Sequence, residues 1–176
     1  MEIKGNNELI HMTRRIPTNL KKKQLAMDSK VATKLIRAWD IEHDADKVLR
    51  IFLKYEWNLS NQRYWELMRT VWIVCGSVEQ STLFRGLMES GRPFRHWFST
   101  PEERTYLENL PNQFLIYRAI DVTKPDDRGL SWTLSYKYVM QYAEDFNKEH
   151  IKQKWISKSD VFAYINRNNE QEIIIL

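Results

Sequence analysis

Several residue types are scarce in this chain of 176 residues, and each scarcity excludes a class of structure. The single cysteine, Cys75, excludes an intramolecular disulfide and fits a reducing compartment. The five glycines stand in neither GxGxxG nor P-loop spacing, which excludes both Gly-rich phosphate loops. No apolar run is long enough to cross a membrane, and no apolar segment follows the N-terminal charges as it would in a signal peptide. We therefore expect a cytoplasmic protein with no membrane partner.

Charge is distributed unevenly along the chain. The net charge is +4, yet residues 1–39 carry nine Lys or Arg against three Asp or Glu. Periodicity is poor over residues 1–27, so we expect a basic, flexible arm there. Such an arm is either a solvated tail or a contact for nucleic acid or an acidic partner, driven by counterion release. No aromatic residue interleaves with its charges, as base stacking would require, and this favours the solvated tail.

Residues 28–110 show the periodicity of helices. Apolar residues recur with a period near 3.6, and the pattern predicts helices that begin near positions 28, 44, 60, 78 and 100. The last start is the clearest, because Thr100 is followed by Pro101 and, at the third position, by Glu103, as in a capping box. The shared face of Trp65 and Trp72 predicts a helical core, with Cys75 a buried thiol at its end. No metal site is predicted, since His43 and its neighbouring aspartates match no ligand spacing.

The pattern changes to that of strands after Pro111. Period-2 segments predict strands over 114–120, 130–133, 161–166 and 170–176, and a long helix is predicted from Ser135 to about Trp155. Further strands are expected among residues 83–98 if the sheet has more than four. The fold class predicted is α+β, with a helical lobe over 28–110 followed by a compact α/β lobe over 111–176, in one compact domain.

Two carboxylates stand together at the start of the last predicted strand. Glu170 and Glu172 are two residues apart, so in a strand they share a face at a separation of about 6.6 Å. Like charges this close need a cation, a hydrogen bond or a substrate to offset them. Residues 173–176 are wholly apolar, which predicts a strand buried on both faces with the pair at its mouth. The alternative is a solvent-facing strand end after the turn at Asn168 and Asn169.

Other polar residues lie on two preceding strands. Arg118 directly follows three apolar residues, so it lies within or at the end of a strand and needs a partner, for which a diphosphate, a carboxylate or a structural salt bridge would serve. Ser131 and Thr133 lie on one face of the next strand, with Trp132 opposite. Their hydroxyls can orient a carboxylate or a ribose, or can reflect ordinary β-propensity around a buried Trp.

In this order, the motifs resemble a known enzyme class. They are Tyr117-Arg118, Gly129-Leu130-Ser131-Trp132-Thr133, a helix with Tyr142-Ala143, and Glu170-Gln171-Glu172 before an apolar strand. The succession resembles the Arg-Ser-Glu class of ADP-ribosyltransferases, which includes bacterial toxins and phage-encoded enzymes that modify host proteins. The resemblance covers roughly residues 113–176.

The resemblance implies roles for these residues. It implies a fold that binds NAD in a cleft between two small β-sheets, with Arg118 holding the NAD phosphates or ribose. Ser131 would position the catalytic Glu172, which hydrogen-bonds the nicotinamide ribose, and Glu170 would engage the acceptor. Thr133 belongs to the same NAD-binding motif. An aromatic side chain would stack on nicotinamide, and Trp132, Tyr136 and Tyr138 are the candidates.

Two functions follow from the resemblance. The first is a mono-ADP-ribosyltransferase that uses NAD as substrate to modify a target protein, with the Glu-x-Glu pattern favouring arginine acceptors. The second is a non-catalytic binding protein or inhibitor on the same scaffold, such as a phage effector against a host complex. An open cleft that unites Arg118, Ser131 and Glu172 would favour the enzyme, whereas a salt bridge from Arg118 to Glu172 that seals the cleft would favour the binding protein. A nucleic-acid acceptor is a third possibility.

Overall fold

The computed structural model describes residues 18–77, 80–121 and 129–176 and shows an α+β architecture, as the sequence predicts. Six α-helices are found in this part of the chain: α1 (Thr18–Ile36), α2 (Ala45–Tyr55), α3 (Asn61–Cys75), α4 (Ser81–Met88), α5 (Pro101–Asn109) and α6 (Tyr136–Asp145). A π-helical turn (Arg37–Ile41) continues α1, and short 3₁₀ turns lie at Glu56–Asn58, Arg95–Phe98 and Lys158–Asp160. None of the described helices has the length and apolar character needed to cross a membrane.

Five strands form one antiparallel sheet. They are β1 (Gln113–Ile120), β2 (Ser131–Thr133), β3 (His150–Ser157), β4 (Val161–Ile165) and β5 (Glu172–Ile175). Their spatial order is β3-β1-β2-β5-β4, so β3 and β4 are the edges and β2 is the centre. The register pairs Tyr117 with Thr133, and Thr133 with Glu172. Three predicted polar segments are therefore neighbours across the middle of the sheet.

Side-chain caps explain why several helices begin where they do. Asp44 accepts a hydrogen bond from the backbone N–H of Lys47, and Ser60 does the same for Arg63. Thr100 and Glu103 form the predicted capping box at the start of α5. Ser135 caps α6 through the N–H of Tyr138, and this fixes α6 directly after β2.

The two faces of the sheet are buried by different helices. Leu130, Ile165 and Ile174 complete a core built mostly by α1 to α4. Tyr164 and Ile173, the strand neighbours of Ile165 and Ile174, face the other way, and they pack with Trp132 and with residues at the end of α5. Because successive strand residues point to opposite faces, the all-isoleucine segment of β5 feeds both cores, as its sequence predicts.

Four sequence-based boundaries are wrong. Residues 135–155 are not one helix: α6 ends at Asp145, Asn147 has a left-handed φ of 50°, and β3 follows. Residues 83–98 contain no strand, so the fifth strand is β3. The last strand begins at Glu172 rather than Glu170. Finally, α1 begins at Thr18, inside the segment expected to be a flexible arm, while the rest of that arm, residues 1–17, lies outside the described residues.

Candidate functional site

A cleft of about 480 Å³ opens between the end of α3, the β1–β2–β5 part of the sheet and α6. Its volume is within the range of about 300–1,000 Å³ that is usual for small-molecule sites. Its wall contains every site residue that the sequence predicted: Arg118, Ser131, Trp132, Thr133, Glu170 and Glu172. The three motifs therefore come together in space although they are distant in the chain.

Glu172 is held at the start of β5 by two donors to one carboxylate oxygen. Its Oε1 accepts hydrogen bonds from the Ser131 hydroxyl at 2.5 Å and from the Trp72 indole N–H at 3.2 Å. Ser131 comes from the adjacent strand β2, while Trp72 comes from α3. The other oxygen, Oε2, is buried and has no hydrogen-bond partner among the described residues. Glu172 thus combines a fixed orientation with an acceptor atom that no described residue uses.

Burial dominates the electrostatics of this carboxylate. Burial raises the pKa of Glu172, and the nearby Glu170 charge raises it further. The Ser131 hydrogen bond, the positive charge of Arg167 and the Trp72 hydrogen bond oppose this shift. An unpartnered buried acceptor costs about 1–3 kcal/mol, so a ligand hydroxyl that donates to Oε2 would recover free energy. The site suits a ligand with a hydroxyl group.

Glu170 differs from Glu172 in conformation and in partners. It lies before the strand, and Gln171 between the two has a left-handed φ of 48°, so the expected i, i+2 strand geometry is wrong. The Thr133 hydroxyl donates to the Glu170 carbonyl oxygen at 2.5 Å and fixes this turn. The Glu170 carboxylate forms an ion pair with Arg167, with 3.0 Å between Nε and Oε2. Both glutamates nevertheless line the cleft.

Arg118 lines the cleft beside Gly129, and their contact explains the glycine of the Gly-Leu-Ser-Trp-Thr motif. A Cβ atom built at Gly129 would lie 1.4 Å from Nη1 and 1.8 Å from Cζ of Arg118. Only a glycine leaves room for the guanidinium at this place. Among the described residues, no ion pair joins Arg118 to Glu172.

Two of the predicted NAD-binding residues have evident structural tasks. Thr133 is buried, and its hydroxyl also accepts a hydrogen bond from the Ser135 N–H, so it supports the turn at Glu170 and the start of α6. Trp132 packs into the core on the α5 side of the sheet. Trp132 and Tyr138 both line the cleft, but Trp132 is a buried core residue, whereas Tyr138 is not part of either core; Tyr136 contacts Tyr117.

Tyr138 adds a hydroxyl to the same wall. Burial, and then the charge of Glu170, raise the pKa of Tyr138 to about 12. The phenol therefore remains protonated and acts as a donor at neutral pH. Tyr138 and Glu170 line the same cleft as Ser131 and Glu172.

Sequence reasoning missed two residues of the site. Trp72 was predicted as core, which it is, but its N–H also reaches Glu172; a buried Trp N–H usually needs an acceptor, and this was the available signal. Arg167 donates from Nε to Glu170 and from Nη1 to the Ile73 carbonyl oxygen at 2.9 Å. An arginine beside an Asn-Asn turn has no distinctive pattern. In the part of the chain that the structure describes, no group of three or more potential metal ligands occurs.

Comparison with known proteins gives no independent indication of function. No family model, no curated protein and no solved structure matches this chain. The geometry of the cleft is therefore the basis for any functional conclusion.

Proposed function

We propose that this protein is a mono-ADP-ribosyltransferase that transfers ADP-ribose from NAD to a protein acceptor. The observation that carries the proposal is Glu172. Its carboxylate is buried at the wall of a cleft and oriented by Ser131 and Trp72, and one of its oxygens has no partner among the described residues. The described strands form one five-stranded sheet, not the two small sheets that the resemblance implies, so the proposal is supported by the cleft residues and not by the fold.

The chemistry of this transfer needs a fixed negative charge. The bond between the ribose and the nicotinamide nitrogen breaks, the bonding electrons leave with nicotinamide, and positive charge develops on the ribose. A preoriented carboxylate in a water-poor site stabilises that charge without reorganisation. Ionised Glu172 would do this, and its Oε2 would accept a hydrogen bond from a ribose hydroxyl. The acceptor then forms the new bond to the ribose carbon and loses a proton.

The remaining cleft residues fit the other parts of NAD. The Arg118 guanidinium in its glycine-lined space suits the diphosphate, for which a planar donor fork is well matched. Tyr138 and Tyr142 offer rings beside the Glu172 site, and stacking on the nicotinamide would be their task. Glu170, held by Arg167, is available for the acceptor at the same wall. The side chains that line the cleft are thus chemically suited to NAD, the substrate that the motifs imply.

The decisive experiment is NAD-dependent labelling. The protein and its Glu172→Gln variant are incubated with biotin-tagged NAD and a bacterial lysate. Gln keeps an oxygen for Ser131 and Trp72 but removes the charge, so we expect labelling to fall by about 10²–10³-fold. Glu108→Gln is the matched control, because Glu108 is exposed on α5 and outside the cleft. It should label as the parent does.

The opposite outcome would favour the binding protein. If the parent labels nothing and calorimetry detects no NAD binding, the transferase proposal is wrong. A pull-down for a partner would then test whether this scaffold acts as an inhibitor. Labelling that survives Glu172→Gln would instead exclude Glu172 as the catalytic carboxylate.

A further inference from the structure

A group of lysines on the helical part of the molecule has no acidic partners. Five are on α1 and one is at the end of α2: Lys21, Lys22, Lys23, Lys30, Lys34 and Lys54. None of them forms an ion pair with a carboxylate within the described ranges 18–77, 80–121 and 129–176. Lys23, Lys30 and Lys34 are separated by seven and four residues, so they lie along one face of α1. This face is a continuous stripe of positive charge.

Tyr55 lies beside one end of the stripe. Lys34 donates to its hydroxyl at 3.0 Å and stands 4.7 Å from the ring centroid, and Lys54 is 5.6 Å from the same centroid. The Lys34 hydrogen bond and charge, assisted by Lys54 and Lys30, lower the pKa of Tyr55. The local field is therefore uniformly positive. Like charges held this close together are unfavourable unless an anion offsets them.

Two carboxylates close to the stripe along the chain, Asp28 on α1 itself and Glu56 next to Tyr55, do not supply that anion. Asp28 is buried under α1 and is occupied by hydrogen bonds from the Ser60 N–H and hydroxyl. Glu56 is half-buried, and the cation that acts on it is Arg92 rather than a lysine of the stripe. The stripe is open to an external polyanion.

Trp57 is an exposed aromatic residue two positions after Tyr55, and the Arg92 guanidinium lies 5.6 Å from its ring centroid. The side chain of Gln24 donates to the Asn58 carbonyl oxygen at 2.8 Å, while Lys34 contacts Tyr55, so the segment from Tyr55 to Asn58 runs along α1 in the reverse direction. Trp57 lies within this segment and is 80% exposed. An exposed ring on a segment that runs along a lysine-bearing helix can serve as a stacking platform, and the sequence alone did not show this because the two elements are distant in the chain.

We propose that this α1 lysine surface, formed by Lys23, Lys30, Lys34, Lys54, Tyr55 and Trp57, binds single-stranded nucleic acid. The lysines neutralise successive phosphates, and a base stacks on Trp57. The exposed ring favours nucleic acid over an acidic protein, since an acidic segment would need the charges but not a stacking surface. The surface is separate from the NAD cleft, so the proposal holds whether or not the protein is a transferase.

The test is fluorescence anisotropy of the full chain with a labelled oligothymidylate over a range of salt concentrations. Lys23→Gln/Lys30→Gln removes two charges that make no hydrogen bond or ion pair in the described structure. We expect weaker binding and a salt slope reduced by about 1.4, since each phosphate neutralised on a single strand contributes about 0.7. Trp57→Ala should weaken binding by about tenfold and leave the salt slope unchanged.

Matched controls come from the sheet side of the chain. Lys137→Gln/Lys154→Gln removes the same charge from exposed positions on α6 and β3, and Trp155→Ala removes a ring that is 69% exposed. Both should bind as the parent does. The proposal is wrong if the control double variant weakens binding as much as the α1 variant. It is also wrong if polyglutamate competes as well as the oligonucleotide and Trp57→Ala has no effect, which would assign the surface to an acidic protein.

Discussion

Two buried glutamates, one at the start of α5 and one in the cleft, show how differently the same side chain can be used. Glu103 is 6% exposed and Glu172 is 7% exposed. At Glu103, Oε1 accepts from Arg69 at 2.8 Å and from the Asn166 N–H at 2.9 Å, and Oε2 accepts from the Thr100 N–H at 2.8 Å. At Glu172, the described residues supply partners to Oε1 alone, and both partners are neutral.

Burial alone therefore does not identify a functional carboxylate. Glu103 has a cation and backbone donors for both oxygens, so it joins α3, α5 and the end of β4 and leaves nothing for a ligand. Glu172 has an unused oxygen and a pKa raised by burial, and it faces a cleft. A buried charged group that lacks some of its hydrogen-bond partners destabilises the folded state, and such groups are candidates for function.

The largest expected effect is on stability at Glu103. Glu103→Gln leaves the partly buried Arg69 without its counter-charge, and the amide nitrogen cannot accept from a backbone N–H. We expect the free energy of unfolding to fall by about 3–5 kcal/mol in denaturant titrations. Adding Arg69→Met should recover part of this loss, because the unpaired cation is removed. If Glu103→Gln leaves the free energy of unfolding unchanged, the ion pair between Arg69 and Glu103 does not have this structural role.

The same substitution at Glu172 should have the opposite sign. Glu172→Gln keeps an oxygen for Ser131 and Trp72 and puts a neutral group in place of the unpartnered Oε2. At neutral pH we expect the variant to be more stable than the parent, by about 1.4 kcal/mol for each unit by which folding raises the Glu172 pKa. Thermal unfolding of both proteins at pH 7 measures the difference.

This difference should depend on pH in a defined direction. The folded-state pKa of Glu172 is raised, so the folded protein binds its proton more tightly than the unfolded chain does. The stability that neutral Glu172 contributes is fully present below the unfolded pKa, about 4.3, and is lost as pH rises through the folded pKa. The advantage of Glu172→Gln should therefore vanish below about pH 4. An advantage that persists in acid would show that charge is not its cause.

Two tryptophans on α3 donate hydrogen bonds with different roles: one bond belongs to the cleft and the other is structural. The Trp65 N–H donates to the Pro93 carbonyl oxygen at 2.9 Å, whereas the Trp72 N–H donates to Glu172. Trp65→Phe and Trp72→Phe each remove one buried hydrogen bond, and we expect both to reduce stability by about 1–2 kcal/mol. Only Trp72→Phe should raise the Glu172 pKa and move the acid limb of the labelling activity to higher pH. An equal effect of the two variants on that limb would exclude Trp72 as a positioning residue.

The sequence predicted the cleft better than it predicted the elements around it. Arg118, Ser131 and Glu172 are recognisable because each is a polar residue at an apolar strand, where an unusual residue type is informative. Their relation in space follows from the sheet register, which pairs Thr133 with both Tyr117 and Glu172. The pattern of residue types along one segment does not determine how strands pair, nor which side chains of other elements contact them. For this reason the sequence did not indicate that Trp72 and Arg167 belong to the site.

The edge strand β3 was missed for a different physical reason. Its sequence, from His150 to Ser157, contains Lys and Gln, which favour helices, and it continues from α6 without a Gly or Pro. Charged residues on an edge strand protect it from pairing with another chain. The same residues interrupt the alternation of apolar and polar residues by which a strand is predicted. The turn at Gln171 was missed because a left-handed glutamine has no sequence signal.

Substitutions of two glycines by alanine are expected to change stability least. One of them, at Gly129, should also affect the cleft. Gly86 is exposed in α4 with no atom within 4 Å of an added Cβ, so Gly86→Ala should raise stability by about 0.5–1 kcal/mol through helix propensity and leave the cleft unchanged. Gly129→Ala would place its Cβ 1.4 Å from Nη1 of Arg118. The guanidinium is the far end of a flexible side chain, so it can move at little cost in stability.

Its movement should nevertheless weaken the hold on a diphosphate. We expect Gly129→Ala to reduce NAD affinity by about tenfold in calorimetry, equivalent to the loss of one charge-assisted hydrogen bond of about 1.5 kcal/mol. Gly86→Ala should bind NAD as the parent does. Equal affinity of Gly129→Ala and the parent would remove Arg118 from the NAD site. A loss of NAD affinity in Gly129→Ala with unchanged thermal stability would instead tie the glycine of the Gly-Leu-Ser-Trp-Thr motif to the ligand rather than to the fold.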